Sequence, residues 1–394
     1  MDDLTTITYE SGDRVARITL DRPERGNGIV PPMPAEIAAC VERANLDPAV
    51  HAIALAGNGS GFCGGYDLVA SAERMSEAAG GGGTGQPSGG TGQPGGAAPP
   101  PGRAPTDPPP GPRRSGSPTD PSDSPPPDPT SDPFAPPPPD PTSDPFAPPP
   151  PGRTTDPSNP PPPGAPTDPF APPPPGAPTD PATIAANHAP ESNWDPVTDF
   201  QFMWRNVRGF MSLFHSEKPV LCKVHGYCVA GGTDMALCSD LLVVADDAKI
   251  GYPPARVWGS PTTALWAARV GPMRAKRLLL TGDSLSGEQA VEWGLASEAA
   301  PAAELDERFE ALLERVARLP VNQLVMMKML VNQSLYAQGL HQTQLLGTFF
   351  DGVARHTEEG HEFVRRAAEG GFKQAVRERD EPFGDFGLGG SGVP

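Results

Sequence analysis

Long hydrophobic runs are missing from this 394-residue chain: no stretch approaches the ~18 consecutive apolar residues that a membrane-spanning helix needs. The opening residues Met1-Asp2-Asp3-Leu4 are acidic and lack the apolar segment of a secretory signal. Positive charge is thin as well. Lys and Arg number 30 against 48 Asp and Glu, the formal net charge is −18, and no basic stripe or cluster occurs, so a nucleic-acid partner is not expected. The five cysteines (Cys40, Cys63, Cys222, Cys228, Cys238) sit in apolar or glycine-rich runs without metal-ligand spacing. That odd count and placement predict reduced thiols, no metal site and a cytoplasmic protein. Neither a Rossmann nor a P-loop fingerprint is signalled, so no nucleotide or redox cofactor is expected.

Proline is uneven rather than rare. Forty of the 56 prolines fall between Gly80 and Pro181, a stretch with no Lys, no Glu and only three aromatics. Such a segment buries too little apolar surface to offset the entropy of ordering its backbone, which predicts disorder. It carries ten Asp against four Arg, and its second part repeats with a period of twelve at Asp132, Asp144, Asp156, Asp168 and Asp180, each followed by Pro. Polyproline runs there offer P-x-x-P ligands to proline-motif binders. A tolerated, repeat-expanded surface loop explains the same pattern more simply. The expected organisation is a discontinuous core at 1–77 and 190–298, a disordered Gly/Pro-rich insertion at 78–189, and a helical C-terminal region at 299–394.

Hydrophobic periodicity places strands at 6–10 and 15–20 around a Ser11-Gly12-Asp13 turn, and a helix at 34–46 with Ile37, Val41 and Leu46 on one face. A buried strand at 52–56 leads into the glycine-rich loop 57–67. A helix is expected at 196–215, strands at 220–224 and 241–245, and a short helix from Gly231 through Cys238 between them. Helices follow at 273–280, 286–293, 303–318, 321–337, 341–355 and 359–369. The Met326-Met327-Lys328-Met329-Leu330 run reads as helix core. Strands mixed with crossover helices, then a helical tail, predict an α/β fold with an α-helical C-terminal part.

Three stretches resemble the enoyl-CoA hydratase/isomerase (crotonase) family. Phe62-Cys63-Gly64-Gly65-Tyr66-Asp67-Leu68 is similar to its F-C-A-G-x-D-L loop. His225-Gly226-Tyr227-Cys228-Val229-Ala230-Gly231-Gly232-Thr233-Asp234 is similar to its N-G-x-A-x-G-G-G-x-E segment, and Thr281-Gly282-Asp283 with Ala290 and Trp293-Gly294-Leu295 to its T-G…A…G-L-V helix. The resemblance implies a crotonase-like spiral of ββα units with a C-terminal trimerisation region. It also implies an acyl-CoA substrate, coenzyme A entering as part of that substrate, and a homotrimer or hexamer.

Chemistry next to a thioester carbonyl passes through an enolate, whose oxygen is stabilised by two fixed N–H donors. The resemblance assigns these donors to Tyr66 and Gly231, flanked by Gly65 and Gly232, which let the thioester approach the backbone. Gly231 opens a helix, where the macrodipole adds favourable potential. Asp234 stands where the family usually has a glutamate, and is the expected general acid–base. It is shorter by one methylene, ~1.5 Å. A second glutamate, which in hydratases of the family follows a Gly-x-Pro sequence, has no counterpart in Ile250–Gly259. Hydration, isomerisation, hydrolysis and a non-catalytic acyl-CoA-binding scaffold therefore stay open. Tyr252, Arg256 and Trp258 are expected to line the acyl pocket. Arg22 and Lys373 are similar to family positions near CoA, Lys373 touching that of a neighbouring subunit. Asp67 is expected to cap the helix after its loop, and His225 and Asp240 to be structural.

Overall fold

The computed structural model describes residues 4–67, 187 and 193–384. The expected insertion, its twelve-residue repeat and the helix after Asp67 therefore lie outside the described residues, Asn187 apart.

A hairpin opens the chain. Strands β1 (Ile7–Gly12) and β2 (Val15–Leu20) pair antiparallel with Gly12 opposite Val15, leaving Asp13 and Arg14 as the turn. Both have positive φ, 49° and 66°, the two-residue type I′ geometry that matches strand twist. The expected turn at Ser11-Gly12-Asp13 is thus displaced. Arg14 holds the unusual position because its carbonyl accepts from the amides of His51 and Ala52, at 2.7 and 3.3 Å.

Helix α1 (Pro32–Leu46) starts two residues before the expected 34, since a proline in a first turn has no N–H to waste. Met33, Ile37, Cys40, Val41 and Ala44 face the core at helical spacing. Leu46, expected on that face, is the last residue of the helix and 74% exposed. Strand β3 (Ala52–Gly57) is buried, as are helix α2 (Pro196–His215) along one face and strand β4 (Val220–Val224). Strand β5 (Tyr227–Val229) leads into α3 (Gly231–Ala236), then β6 (Leu241–Ala245) and β7 (Lys249–Gly251). Helix α4 (Trp266–Thr281) is interrupted at Gly271 (φ 75°, ψ 163°). The expected start at 273 is only its second half, because the Gly271-Pro272 break hid the turn before it. Strand β8 (Ser284–Leu285), helix α5 (Gly287–Glu292) and strand β9 (Glu298–Ala300) complete the α/β part.

The strands form a six-stranded sheet in the order β1-β2-β3-β4-β6-β9, parallel beyond the first hairpin, and a three-stranded sheet β5-β7-β8. Parallel strands covered on both faces read as continuous apolar runs, as in Ala52–Gly57 and Leu241–Ala245. The short strands β5, β7, β8 and β9 have too few residues to show any alternation.

The tail is helical: α6 (Leu305–Ala317), α7 (Val321–Ala337), α8 (Leu340–Arg355), α9 (Glu358–Gly370) and α10 (Phe372–Asp380). In α6, Leu305, Phe309, Leu313 and Ala317 recur every four residues and are buried. The Met326–Leu330 run corrects the expectation of helix core. Met326, Met327, Met329 and Leu330 are 53, 47, 64 and 68% exposed, and it is Lys328 that is buried. Its ammonium donates to the carbonyls of Leu213 and Lys218 and pairs with Asp240 at 2.8 Å. Asp240 also accepts from the Val220 amide at 2.7 Å, a structural role. Among the described residues no helix is long and apolar enough to cross a membrane.

Candidate active site

Two loops leave the C-terminal ends of strands β3 and β5, one in each sheet. The first, after β3, is fastened by Asn27, which is fully buried and left-handed (φ 52°). Its side-chain amide donates to the carbonyls of Asn58, Gly61 and Phe62 at 2.8–3.0 Å. The amides of Phe62 and Cys63 both donate to the Tyr227 carbonyl, and Val229 N–H returns a bond to Cys63. His225 Nε2–H donates to the Gly59 carbonyl at 2.9 Å, bracing the same loop as expected of a structural residue.

Ile29 then decides where the Tyr66 amide points. Ile29 N–H donates to Gly65 and its carbonyl accepts from Asp67, so Ile29 is bridged to Tyr66 as in a parallel ladder. In such a bridge the opposing residue directs its own N–H and C=O to the other side. The Tyr66 N–H has no backbone acceptor among the described residues.

The second loop joins β5 to α3 through Ala230, at φ 55° and ψ −128°, a strained conformation for a residue with a side chain. Two bonds over-determine it: Ala230 N–H donates to Gly251 at 3.0 Å, and its carbonyl accepts from Thr233 N–H at 2.9 Å. Gly231 and Gly232 are the first helical residues, so their N–H groups have no intrahelical partner. The two loops abut. A Cβ at Gly65 (φ 93°) would come within 2.7 Å of Ala230 Cβ and 3.4 Å of Gly231 N. One at Gly231 would stand 2.9 Å from Tyr66 Cε2. Only glycine allows this approach at both positions.

Asp234, one turn into α3, is 1% exposed. Its Oδ1 accepts from Thr263 N–H and Oγ1–H at 3.0 and 2.9 Å, and its Oδ2 is buried with no hydrogen-bond partner among the described residues. Burial pushes the carboxyl up to about 7, with Asp351 adding to the rise and the Thr263 bonds opposing it. Tyr66 and Tyr252 phenols are pushed well above their usual range, by burial first and then by the Asp234 and Asp351 carboxylates. A group that titrates near neutrality can take a proton in one step and return it in the next.

The remaining expected residues separate. Tyr252 is buried near this carboxyl, its hydroxyl donating to the Ser260 carbonyl at 2.8 Å. Trp258 stacks on Phe363 with ring centroids 5.3 Å apart. Arg256, expected at the acyl pocket, is instead committed to a buried network with Asp283, Asp380 and the Thr281 carbonyl, and lies over the Phe383 ring. Arg22, expected near CoA, pairs with Asp67 at 2.9 Å and donates to the Gly28 carbonyl, so it braces the first loop. Asp67 spends its charge on that pair. Lys373 is exposed near the start of α10. Asn27, Ala230, Thr263 and Asp351 were not expected. The Gly26-Asn27-Gly28 turn was the one local signal that could have marked Asn27.

The enoyl-CoA hydratase/isomerase family model matches residues 10–85 and 195–367. A solved enoyl-CoA hydratase from Mycobacterium smegmatis is 42% identical, with a TM-score of 0.71 over 100% of this chain and 99% of that one. An enoyl-CoA hydratase/isomerase from Xanthobacter autotrophicus Py2, 20% identical, shares the fold with a TM-score of 0.62 over 96% and 98%. Among curated relatives, a putative enoyl-CoA hydratase of Thermus thermophilus is 31% identical over 41% of this chain and 66% of its own length. A carnitinyl-CoA dehydratase of Proteus mirabilis is 29% identical over 30% and 47%. The chain thus spans about half to two-thirds of the curated relatives it matches. Two abutting glycine loops after parallel strands, a crotonase-like α/β fold and these matches agree: the chain belongs to the enoyl-CoA hydratase/isomerase family.

Proposed function

We propose that the chain hydrates a 2-enoyl-CoA thioester, with the thioester oxygen held by the amides of Tyr66 and Gly231 and protons moved by Asp234. The observation that carries this reading is the side-by-side placement of two loops whose Tyr66 and Gly231 N–H groups lack backbone acceptors among the described residues, with a buried carboxyl one turn away. Water adds its oxygen to C3 while the π electrons shift toward C2 and the thioester oxygen, forming an enolate. The Asp234 carboxylate takes the water proton and then delivers it to C2, so one water is added overall. A carboxyl near 7 suits both halves. The fixed amides stabilise the oxygen as it becomes negative, in surroundings that need not reorganise. No metal or redox cofactor enters, and coenzyme A is part of the substrate.

The lack of an acid in Ile250–Gly259 favours one second reading, isomerisation, in which Asp234 removes a proton from C2 of a 3-enoyl-CoA and returns it at C4. The test incubates the full chain with 2-enoyl-CoA and with 3-enoyl-CoA and follows the conjugated double bond. Loss of conjugation supports hydration and gain supports isomerisation. No change while CoA esters still bind refutes both and leaves an acyl-CoA-binding scaffold. Asp234→Asn should lower kcat by roughly 10²–10⁴ with a small effect on KM. We also assign the exposed apolar residues of α7 and α8, Met329, Leu330 and Phe350 among them, to contacts between copies in a trimer or hexamer.

A further inference from the structure

Helix α8 is inverted. Gln344, Thr348, Asp351 and Gly352 are buried, whereas Leu345, Leu346, Phe349 and Phe350 are 36–51% exposed. A buried polar face must find partners, and two of its members, Gln344 and Asp351, find one each in a single stretch of loop, Ser260–Thr263. Gln344 donates to the Thr263 carbonyl at 3.1 Å. Asp351 accepts from the Ser260 amide at 3.4 Å. Between these holds the helix lies tight on the loop, since a Cβ at Gly347 would stand 2.9 Å from the Pro261 carbonyl oxygen. The same stretch grips Asp234, through Thr263 N–H and Oγ1–H.

Asp351 is itself held. It pairs with Arg355 one turn on, and Arg355 pairs with Asp199 of α2 at 2.5 Å. Asp199 is seated where α8 has no side chain: a Cβ at Gly352 would meet its Oδ2 at 2.4 Å. Two buried carboxylates thus share one guanidinium. Burial pushes the Asp351 carboxyl up, and Arg355 opposes that rise.

We propose that Asp351 is a positioning residue for Asp234: by fixing the Ser260–Thr263 stretch it ties down Oδ1 and leaves Oδ2 for proton transfer. This rests on the reading of Asp234 as the acid–base. It differs from a purely structural role because Asp351 also acts on Asp234 through space. The titratable groups acting on Asp234 or acted on by it come from every side: Tyr66 in the first loop, Cys228 in β5, Cys238 after α3, Tyr252 after β7, and Asp351 in α8, itself paired with Arg355. Asp351 is the nearby carboxylate that raises it.

The test uses the full chain and the substrate turned over in the assay above, measuring kcat and KM from pH 5 to 9. Asp351→Asn keeps an acceptor for Ser260 and removes the charge. The acidic limb of kcat should move to lower pH, by roughly half a pH unit or more, with KM unchanged within about twofold. Asp351→Ala releases the loop and should lower kcat about tenfold or more. Asp351→Glu should restore part of that loss. Thr263→Val should act along the same route, so that combining it with Asp351→Ala costs less than the product of the two single effects. Wild-type kcat and pH profile in both Asp351→Asn and Asp351→Ala, with Asp234→Asn inactive, would overturn the positioning role and leave the acid–base reading standing. Full activity in Asp234→Asn would overturn both. If Asp351→Ala melts below the assay temperature, the pH profile of Asp351→Asn decides the question alone.

Discussion

Replacing Asp234 with Asn should make the protein less active and, at alkaline pH, relatively more stable. The folded chain holds the Asp234 proton more tightly than the unfolded chain, because burial raises the carboxyl from its ordinary 3.8 to about 7. The contribution of this group to stability is therefore full below about pH 3.8 and is lost as the pH rises toward 7. At 1.36 kcal/mol per pH unit, the whole loss is on the order of 4 kcal/mol. Asn cannot ionise. It can still accept from Thr263 at Oδ1, and its amide takes the place of the partnerless Oδ2. Any cost of that exchange is independent of pH, so the informative quantity is how the gap between variant and wild type changes with pH. Between pH 5.5 and 8.5 the gap should move in favour of the variant by roughly 2 kcal/mol and then level off. In melting temperature this is about 4–8 °C for a folded region of this size. Urea or thermal unfolding of both proteins at equal concentration reads it directly. A gap constant to within about 0.5 kcal/mol would refute the idea that Asp234 is a buried carboxyl titrating near neutrality.

Ala230→Gly should relieve backbone strain of about 1–3 kcal/mol against an entropic cost of about 0.5–1, raising the urea midpoint while lowering kcat as the Gly231 amide loosens; a lowered midpoint would show that Ala230 is unstrained. The five buried cysteines should resist a thiol-reactive disulfide reagent at pH 8, Cys40 and Cys63 being pushed by burial to about 11 and about 12, and all five should react after denaturation. Rapid labelling of the native protein would contradict the packing. Met329→Glu combined with Leu330→Glu should dissociate the proposed trimer or hexamer, as read by light scattering; a wild-type protein already of monomer mass would refute the proposed interface.

What could be read in advance was whatever a short window carries by itself. Helices α2 and α7 and strands β2, β4 and β6 have the bounds their periodicity indicates, because one face or both faces of each segment repeat an apolar signal. Gly65 and Gly231 were marked by the family resemblance, and the abutting loops show why neither position admits a side chain. The Met326–Leu330 run misled for a related reason. Hydrophobicity indicates that a residue avoids water without saying which surface covers it, and among the described residues the α7 run is not covered by the core. Asn27, Thr263 and Asp351 escaped notice because each acts on a partner about thirty to ninety residues away. In α8 the local pattern even pointed the wrong way, since Leu345, Leu346, Phe349 and Phe350 suggest the buried face and are the exposed one. The inversion has a physical logic. A helix that presses polar groups onto the loop gripping Asp234 has only its apolar side left for whatever covers it. If that cover is another copy, the segment that would assemble the protein is also the one that aims its acid.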